Sequence, residues 1–447
     1  MYKRQIITTF VQFLNTLFAG DTSSIRRFHN LEQSVIIIDE IQSLPIKMLH
    51  LFNMAMNYLA KVHETTVVLC SATQPALQEV PVGIQLSHPS DMIREVDDLF
   101  KQLKRVRVVP NQREMSTEEL CLFLKKKLET EPDILVILNT KAAVAAIYQA
   151  LADLFQETGE EITLIHLSTN MCAKHRLSCI KRIREKKKEE RFLCISTSLI
   201  EAGVDLSFSS VVRSYAGLDC VAQAAGRCNR NAERKEGKLY LIHYEQERLG
   251  NLEQVRKGGI CSEAIVEQYE KNPEQYHNDL LSRPALEAYY KKYYYDSDQQ
   301  RLMNYPVEKE GFSLVDLLSE NRRARKAFWG REKHGAGPGL ILYQAFKTAG
   351  KSFAVINPNT MGVLVPYGEG KEIISRLNGE LYGKDISDWL RKGQRYTVNL
   401  YQDKIEQLTR AGVIAPLKNG SVLALKDGFY DEKMGVVIEG KEEFLVV

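Results

Sequence analysis

Short apolar runs rich in β-branched residues alternate with helical patterns over most of residues 34–245, and this alternation constrains the fold more than any other feature. The first strand–helix–strand unit is SVIIID, PIKMLHLFNMAMNYLAKVH and TTVVLC. The alternation resumes with ILVIL (134–138), a helix from Lys141, ITLIHL (162–167), a helix near 173–188, FLCIS (192–196), VVRSY (211–215) and KLYLIHY (238–244). Strands that alternate with helices predict parallel sheets covered by helices on both faces.

An irregular, charged stretch near residues 86–132 separates two such blocks, so the pattern predicts two α/β lobes. We predict the C-terminal part of a first lobe at 1–95, a complete second lobe at 96–245, a helical linker at 246–310 and a smaller α+β domain at 311–447. In the linker, KKYYYDSDQQR (291–301) favours a solvated inter-domain helix. The alternative is a segment whose aromatic rings stack on single-stranded bases.

Composition excludes several classes of protein. The 447 residues suggest about three domains, and the net charge of +3 means that a polyanion must be bound by a local patch. Eight scattered cysteines without a C-x-x-C pair favour buried thiols in a reducing cytoplasm. Polar residues interrupt the N-terminal run IITTFVQFLNTLFAG, which therefore does not fit a secretory signal. No run of 18 apolar residues occurs, so we expect a cytoplasmic chain without a membrane span.

Two acids, Asp39 and Glu40, directly follow the apolar run SVIII. An Asp in this place can order the waters of Mg²⁺ at the phosphates of a nucleotide, and the adjacent Glu can polarise the attacking water. A strand that ends in D-E also fits a simple structural turn. Ser71, Ala72 and Thr73 follow the next strand. The carboxyl ends of strands line the ligand crevice of open α/β sheets, so these hydroxyls could connect a nucleotide pocket to a second lobe.

The segment QAAGRCNR (223–230) carries the strongest single motif. Gln223, Arg227 and Arg230 are spaced i, i+4 and i+7, which predicts that they project from one face of a helix as a clamp for phosphate charge. An exposed basic helix is the alternative. The preceding segment STSLIEAGVDL places Thr197 and Ser198 where they can reach a backbone phosphate. It places Gly203 and Asp205 where a ribose or phosphate could approach.

These elements stand in one order along the chain: D-E-x-Q, S-A-T, N-T (Asn139, Thr140), T-S-x-x-E-A-G-V-D and Q-x-x-G-R-x-x-R. The order resembles motifs II to VI of superfamily 2 helicases, which close two RecA-like lobes on ATP. The flanking segments RRFHNLEQSVIIIDEIQSLP, HLSTNMCAKHR, YAGLDCVAQAAGRCNRN, FSLVDLLSENRRARKAF and NLYQDKIEQL resemble the CRISPR-associated helicase–nuclease of type I interference. This resemblance implies ATP-driven 3′-to-5′ translocation on single-stranded DNA. It also implies recruitment to a crRNA-guided surveillance complex that has opened an R-loop.

The resemblance also implies roles for individual residues. Asp39 and Glu40 would serve Mg²⁺ and hydrolysis, with Asp39 as the metal ligand, and ATP would be the cofactor. Gln42, Ser71 and Thr73 would couple the lobes, and Gln223, Arg227 and Arg230 would meet the γ-phosphate, beside Gly203 and Asp205 in the nucleotide pocket. Thr9, Ser168, Arg176 and Thr197 would lie near the DNA backbone. Ile41 stands at a position that is often Ala in this family.

Two departures from the family pattern matter for activity. The chain contains no adjacent His-Asp pair of the kind that marks the family's HD nuclease, and no G-x-x-x-x-G-K-[ST] loop among the 33 residues before Ser34. AFKTAGKS (345–352) almost matches that loop. However, we predict a helix LILYQAFKTA that ends at Gly350, followed by a strand SFAVIN, which is the reverse of the order that a phosphate loop requires. We therefore expect an N-terminally truncated helicase with little ATPase activity by itself.

Three other interpretations remain open. The chain could be a DNA- or effector-binding remnant, or one subunit of a split enzyme in which a separate polypeptide carries the HD nuclease and the phosphate loop. It could also be an RNA helicase of the same superfamily. A first lobe without its leading strands is expected to expose a sheet edge and apolar helix faces.

Overall fold

The computed structural model describes residues 5–187, 189–201, 203–307, 311–329, 343–356, 360–379 and 384–437. Its contacts group the chain into two compact units, each built from two segments. The first unit comprises Met1–Gln102 and Lys271–Asn357, and the second comprises Leu103–Glu270 and Pro358–Val447. The domain boundaries predicted from the sequence stay predictions.

The helices and strands are numbered in chain order. The helices are α1 Phe10–Phe18, α2 Thr22–Ile25, α3 Leu49–Val62, α4 Val96–Leu103, α5 Thr117–Leu128, α6 Lys141–Thr158, α7 Ala173–Arg184, α8 Leu218–Ala225, α9 Glu253–Lys271, α10 Arg283–Tyr294, α11 Ser297–Met303, α12 Leu314–Leu318, α13 Arg322–Trp329, α14 Phe346–Ser352, α15 Gly370–Asn378, α16 Lys384–Gly393 and α17 Gln402–Arg410. The strands are β1 Val35–Ile38, β2 Thr66–Leu69, β3 Val106–Met115, β4 Asp133–Leu138, β5 Thr163–Leu167, β6 Phe192–Thr197, β7 Ser210–Ser214, β8 Gly237–Tyr244, β9 Pro306–Val307, β10 Phe312–Ser313, β11 Thr360–Leu364, β12 Thr397–Tyr401, β13 Ile414–Leu417, β14 Val422–Leu425, β15 Tyr430–Asp431 and β16 Gly435–Val436.

A parallel sheet of six strands, in the order β3-β8-β7-β4-β6-β5, forms the centre of the second unit. Every residue of β4, β6 and β7 is buried, as expected for strands covered on both faces. Helix α6 packs on this sheet. It starts where the Thr140 side chain accepts a hydrogen bond from the Ala143 amide, and it ends at Gly159 in a left-handed conformation. The predicted parallel α/β lobe is confirmed.

The sequence pattern did not predict β3 and α5, which lie in the stretch expected to be irregular. β3 runs along the edge of the sheet beside β8, and its register shifts between Pro110 and Glu114. An edge strand tolerates a proline and polar residues because only one of its sides must pair, and these residues hid the strand in the sequence. Helix α5 begins with a capping box formed by Ser116 and Glu119.

The C-terminal part of the second unit is a smaller mixed sheet with helices. Its strand order is β12-β11-β14-β13, in which β11 and β14 are parallel and the other two pairs are antiparallel. The hairpin β15–β16 joins this part to the large sheet. The Val436 amide donates to the Asn170 carbonyl (2.9 Å), and the Tyr430 hydroxyl accepts from the Cys172 amide (3.1 Å). The predicted smaller α+β region is present here.

The first unit contains the short parallel pair β1–β2, connected through α3. Ile38 lies opposite Leu69, at the carboxyl ends of both strands. Val35 and Ile37 are each 68% exposed, whereas Ile38 is buried. Parallel strands are normally covered on both faces, so an exposed apolar face on β1 is unusual. Apolar sheet surface is therefore exposed in this unit. The exposed sheet edge and apolar helix faces that the sequence predicted for the first lobe stay a prediction.

Helix α10 carries the tyrosine-rich run and packs inside the first unit. Leu286, Tyr290 and Tyr294 recur at every fourth position and are all buried. The rings of Tyr290 and Tyr294 stack with centroids 5.6 Å apart. Within the predicted segment 291–301, Tyr294 and Gln299 are buried and most other residues are exposed, so only Tyr294 of this segment belongs to the aromatic core face. Its position between domains stays a prediction.

The G-K-S of residues 350–352 does not belong to a phosphate loop. Helix α14 starts at Phe346 and continues through Gly350 to Ser352, and no strand occupies the described residues 343–345 or 353–356. The predicted helix stop at Gly350 and the predicted strand SFAVIN are therefore wrong. A Cβ added to Gly350 would lie 2.6 Å from the Cα of Gly20, so a glycine here lets two backbones approach inside the first unit.

All eight cysteines are free thiols, which agrees with the sequence prediction of unpaired cysteines. Cys121, Cys172, Cys194, Cys228 and Cys261 are buried. Among the described residues, no helix is long and apolar enough to cross a membrane.

Candidate functional site

The two acids of the first unit stand on an exposed turn after β1. Asp39 and Glu40 are both exposed, and the Glu40 amide donates to Asp39 Oδ1 (3.0 Å). Glu40 has a φ of +55°, a left-handed conformation that turns the chain sharply out of the strand. Both carboxylates are therefore available to a ligand at the carboxyl end of a parallel strand, as expected from the sequence.

A chain of hydrogen bonds joins the D-E-x-Q turn to the S-A-T turn. The Gln42 amide nitrogen donates to Glu40, and the Gln42 amide oxygen lies within hydrogen-bond reach of the Ser71 hydroxyl. Ser71 Oγ also accepts from the Thr73 amide (3.1 Å). The structure thus brings together Glu40, Gln42, Ser71 and Thr73, residues that the sequence could group only by motif order.

The same chain continues into a helix that the sequence did not associate with it. Thr73 is almost fully buried (1% exposed), and its Oγ1 lies 3.2 Å from the Tyr290 hydroxyl on α10. Tyr290 is more than 200 residues away in sequence, and its only signal was the tyrosine-rich pattern. The candidate site of the first unit therefore includes a contact with α10.

In the second unit, polar groups gather at the carboxyl ends of β4 and β7. Asn139 Nδ2 donates to the Tyr215 carbonyl (3.0 Å) and to Glu247 Oε2 (2.9 Å), while the Thr140 amide donates to Glu247 Oε1 (3.2 Å). The Ser214 hydroxyl also donates to Glu247. The sequence pointed to Asn139 and Thr140, whereas Glu247 carried no motif signal.

A buried ion pair lies at the centre of this cluster. Arg213 is 1% exposed, Glu201 is 5% exposed, and Arg213 Nε lies 2.8 Å from Glu201 Oε1, without the alignment of a hydrogen bond. Arg213 Nη1 donates to Asn139 Oδ1 (2.6 Å). Burial raises the pKa of Glu201, and the neighbouring Arg213 guanidinium opposes that rise. Sequence reasoning missed Arg213, because a lone arginine in a strand gives no motif.

The arginines of QAAGRCNR do not share a helical face with Gln223, so that prediction is wrong. Helix α8 ends at Ala225, and the chain then leaves the helix because the Phe208 amide donates to the Arg227 carbonyl and the Asn229 amide donates to the Phe208 carbonyl. The Arg227 side chain is buried and donates to the carbonyls of Ile200 (3.0 Å) and Glu201 (2.5 Å).

The other candidates of this segment lie at the surface. Arg230 Nε pairs with Asp205 Oδ1 at 2.7 Å, and both side chains are exposed. Gly203 is exposed and has a φ of +71°, and a Cβ added to it would meet no atom within 4 Å. Gln223, in the last turn of α8, is half-buried. The structure thus joins Asp205 to Arg230 within the second unit.

The candidate nucleic-acid residues differ in their exposure. Thr9 is exposed, and its Oγ1 accepts from the Gln12 amide at the start of α1. In the second unit, Ser168 is fully buried and accepts from the Asn170 amide (3.2 Å), Thr197 is buried at the end of β6, and Arg176 is half-buried in α7. Their direct contact with nucleic acid stays a prediction.

A magnesium ion at Asp39 is chemically reasonable. Mg²⁺ in nucleotide enzymes commonly takes one or two carboxylates and completes its shell with phosphate oxygens and water. Asp39 offers one exposed carboxylate of this kind. Within the described residues, no group of three or more His, Cys, Asp or Glu side chains is arranged to hold a metal ion.

Comparisons with known proteins agree with this architecture. The family described as "CRISPR-associated nuclease/helicase Cas3, C-terminal" matches residues 130–233. The CRISPR-associated nuclease/helicase Cas3 of Methanothermobacter thermautotrophicus is 23% identical over 200 residues, which cover 44% of this chain and 23% of that protein.

Solved structures extend the likeness over nearly the whole chain. The crystal structure of T. fusca Cas3 with ATP has a TM-score of 0.61 and 14% identity, covering 96% of this chain and 56% of that one. A chain of a CRISPR RNA-guided surveillance complex, pre-nicking, has a TM-score of 0.55 and 14% identity, covering 95% of this chain and 59% of that one. This chain therefore spans about half the length of the solved chains that it matches. These likenesses confirm the predicted RecA-like α/β fold with a smaller C-terminal region.

Proposed function

Because the chain belongs to the family of CRISPR-associated Cas3 helicases of superfamily 2, we propose that it forms the ATP-dependent helicase and translocase portion of a type I CRISPR interference effector. Its substrate would be the single-stranded DNA of an R-loop, along which it would translocate. The activity, the substrate and the residue roles are the proposal.

One observation carries the proposal furthest, namely the hydrogen-bonded chain from Glu40 through Gln42 and Ser71 to Thr73. It lies at the carboxyl ends of two adjacent parallel strands, where α/β proteins bind ligands. In our proposal Asp39 holds Mg²⁺, Glu40 orients and deprotonates the attacking water, and Gln42, Ser71 and Thr73 transmit the state of the site.

The second unit would supply positive charge to the nucleotide. We assign this role to Arg227 and Arg230, with Gln223, Gly203 and Asp205 at the edge of the nucleotide pocket. Arg227 is held by two backbone carbonyls, so its guanidinium is already oriented before any ligand binds. Arg230 is engaged by exposed Asp205, so phosphate binding would exchange one anionic partner for another.

ATP and Mg²⁺ are the proposed cofactors. A related Cas3 has been crystallised with ATP, and this supports nucleotide binding in the family. Bound Mg²⁺ would neutralise charge that develops on the phosphates during hydrolysis. The chain's own contribution is the exposed carboxylate pair of Asp39 and Glu40, whose backbone geometry is set by the left-handed turn at Glu40.

Single-stranded DNA and a crRNA-guided surveillance complex are the proposed partners. A similar chain occurs in a solved CRISPR RNA-guided surveillance complex, which supports the second of these. Thr9, Arg176, Ser168 and Thr197 are the proposed DNA-proximal residues. Exposed Thr9 would act directly, and buried Ser168 and Thr197 would act by shaping the loops that contact the backbone.

The phosphate loop would come from outside these 447 residues. We propose that a further segment or a separate polypeptide carrying the HD nuclease and the phosphate loop pairs with the first unit. The exposed apolar face of β1, with Val35 and Ile37 each 68% exposed, supports such a partner. Without a loop of backbone amides and a lysine at the phosphates, the chain by itself should hydrolyse ATP slowly.

A DNA-stimulated ATPase assay tests the proposal directly. The purified chain should show little turnover, and adding the polypeptide encoded immediately upstream should restore it if that polypeptide carries the loop. Restored activity should be lost in Glu40→Gln and kept in Glu32→Gln, an exposed acid of the same unit outside the site. Robust turnover by the chain alone, or restored turnover that Glu40→Gln leaves intact, would contradict it.

A further inference from the structure

Positive charge is concentrated in a small part of the first unit that the proposed site does not use. The described segments 311–329 and 343–356 carry six bases and two acids, a larger net charge than the +3 of the whole chain. The bases are Arg322, Arg323, Arg325, Lys326, Lys347 and Lys351, and the acids are Asp316 and Glu320. We refer to α12, α13 and α14 with these residues as the α12–α14 basic patch.

Specific contacts hold the helices of this patch together. Asn321 Nδ2, just before α13, donates to the Tyr343 carbonyl (2.8 Å), and the Ala345 amide donates to the Leu317 carbonyl of α12 (2.9 Å). The Arg325 guanidinium lies 4.7 Å from the centroid of the Tyr343 ring. The start of α14 is thus tied to both α12 and α13, so the bases of these helices lie in one small part of the first unit.

Three lysines of the patch have no acidic partner within the described part of the chain: Lys326, Lys347 and Lys351. Lys347 and Lys351 are four residues apart on α14 and so share a face. The basic helix α7 differs, because its Lys181 and Arg182 pair with Glu185 and Glu190. Two bases of α7 are thus neutralised locally, whereas Lys326, Lys347 and Lys351 remain available to an external anion.

An exposed aromatic ring directly precedes one of these lysines in the sequence. Phe346 is 64% exposed at the first position of α14, directly before Lys347. Surfaces that bind single strands combine bases along the phosphate backbone with aromatic rings on which nucleobases stack.

We propose that the α12–α14 basic patch is a binding site for single-stranded DNA, in which Lys326, Lys347 and Lys351 meet phosphates and Phe346 stacks on a base. The choice of single-stranded DNA as the ligand rests on the proposed function. The surface itself is separate from the residues to which that function assigns DNA contacts. It places DNA contacts of the first unit at α13 and α14 in addition to Thr9.

Fluorescence anisotropy with a labelled oligo-dT of about 20 nucleotides tests the proposal on the full 447-residue chain. The triple variant K326Q/K347Q/K351Q should bind about tenfold more weakly at low salt, and the slope of log affinity against log salt should fall by about 2. The matched control R376Q/R391Q/R410Q removes the same charge from exposed arginines that pair with acids on their own helices, and it should bind as the wild type does. Circular dichroism confirms that both variants are folded.

Substitutions of Phe346 test the proposed stacking on a nucleobase. Phe346→Ala should weaken oligo-dT binding about fivefold or more with an unchanged salt slope, and Phe346→Trp should retain binding, because stacking needs an aromatic face and no charge. If the lysine triple variant binds as the wild type does, or if the control variant binds as weakly as the triple variant, the proposed DNA site at the α12–α14 basic patch is wrong. The proposed function would be unaffected by that result. A normal affinity of Phe346→Ala beside a weakened lysine triple would indicate a general polyanion surface and overturn the assignment to single-stranded DNA. If the wild type does not bind oligo-dT, both this site and the single-stranded DNA substrate of the proposed function are wrong.

Discussion

The two units both gather polar side chains at the carboxyl ends of parallel strands, but they hold them by different physical means. In the first unit, Asp39 and Glu40 are exposed, and neutral amide and hydroxyl groups connect them to Thr73. In the second unit, the charges of Glu201 and Arg213 are almost completely buried. Exposed carboxylates can meet a cation without a large desolvation cost, whereas buried charges must satisfy each other within the fold.

This difference separates residues that can act on a ligand from residues that position others. Glu201 uses its side chain to pair with Arg213 and its backbone carbonyl to accept from Arg227. The orientation of Arg227 therefore depends on the same loop as the ion pair. Among the described residues of the first unit, no comparable buried charge supports Asp39 and Glu40. The chain of hydroxyl and amide groups therefore positions these acids.

The largest expected effect comes from breaking the buried pair of the second unit. Arg213→Met should destabilise the second unit by about 3–5 kcal/mol, because it leaves the buried Glu201 carboxylate without its partner. Hydrogen exchange measured on peptides from β4, β6 and β7 reports this loss separately from the first unit. The double variant E201Q/R213M should recover part of the stability. If these peptides exchange hydrogen at the same rate in the wild type and in Arg213→Met, the buried ion pair does not stabilise the second unit, and the proposed difference between the two units is wrong.

Acidification should also affect the second unit, by a smaller amount. Burial, with a further contribution from nearby His175, lowers the pKa of His166 to about 4 from 6.5, while Asp431 opposes the shift. The unfolded chain then binds a proton below pH 6.5 that the folded chain takes up only near pH 4, so stability falls as the pH drops through this window. At pH 5 the loss should be about 2 kcal/mol relative to pH 7.

Denaturant unfolding at both pH values, on the wild type and on His166→Gln, checks this expectation. The variant should lose less stability between pH 7 and pH 5 than the wild type does, because it has no proton to bind at this position. The same pH dependence in both proteins would show that His166 is not the group responsible.

In the first unit, the contact between Thr73 and Tyr290 should have a modest effect. Tyr290→Phe removes the hydroxyl 3.2 Å from Thr73 Oγ1 and should cost about 1 kcal/mol, the usual net value of a neutral hydrogen bond. The matched control is Tyr295→Phe on an exposed ring, which should change stability by less than about 0.5 kcal/mol. Hydrogen exchange of peptides from α10 distinguishes the two. A loss in Tyr290→Phe as large as that of Arg213→Met would mean that the two sites are supported alike.

The sequence predicted the parallel strands of the second unit well, because β4 and β6 contain continuous apolar runs and β7 and β8 keep shorter ones. It did not predict β3, whose proline and polar residues are tolerated at a sheet edge. The edge strand β5 was predicted because it keeps apolar residues, so the local pattern of β3, and not its edge position alone, hid that strand.

The sequence indicated correctly which residues lie together where short motifs keep them in order along the chain. It did not do so where contacts between residues distant in sequence determine their positions. Asp39, Glu40, Gln42, Ser71 and Thr73 come together as their order indicated. The helical spacing assumed for Arg227 was wrong, because a backbone pairing with Phe208 ends the helix first. Arg213, Glu247 and Tyr290 act through contacts with residues far away in sequence, and no short pattern marks such contacts.

The smallest effect on stability should come from the acids that matter most for the proposed chemistry. Asp39→Asn and Glu40→Gln alter exposed side chains, so each should change the stability of the first unit by less than about 0.5 kcal/mol. In an enzyme completed with its phosphate loop, Glu40→Gln should lower ATP turnover about 100-fold or more, because an amide cannot accept the proton of the attacking water. Thermal unfolding and ATPase rates measured on the same preparations separate these two effects. A strongly destabilised Glu40→Gln would instead indicate a structural acid like Glu201, and the difference between the two units would then no longer distinguish catalytic from positioning groups.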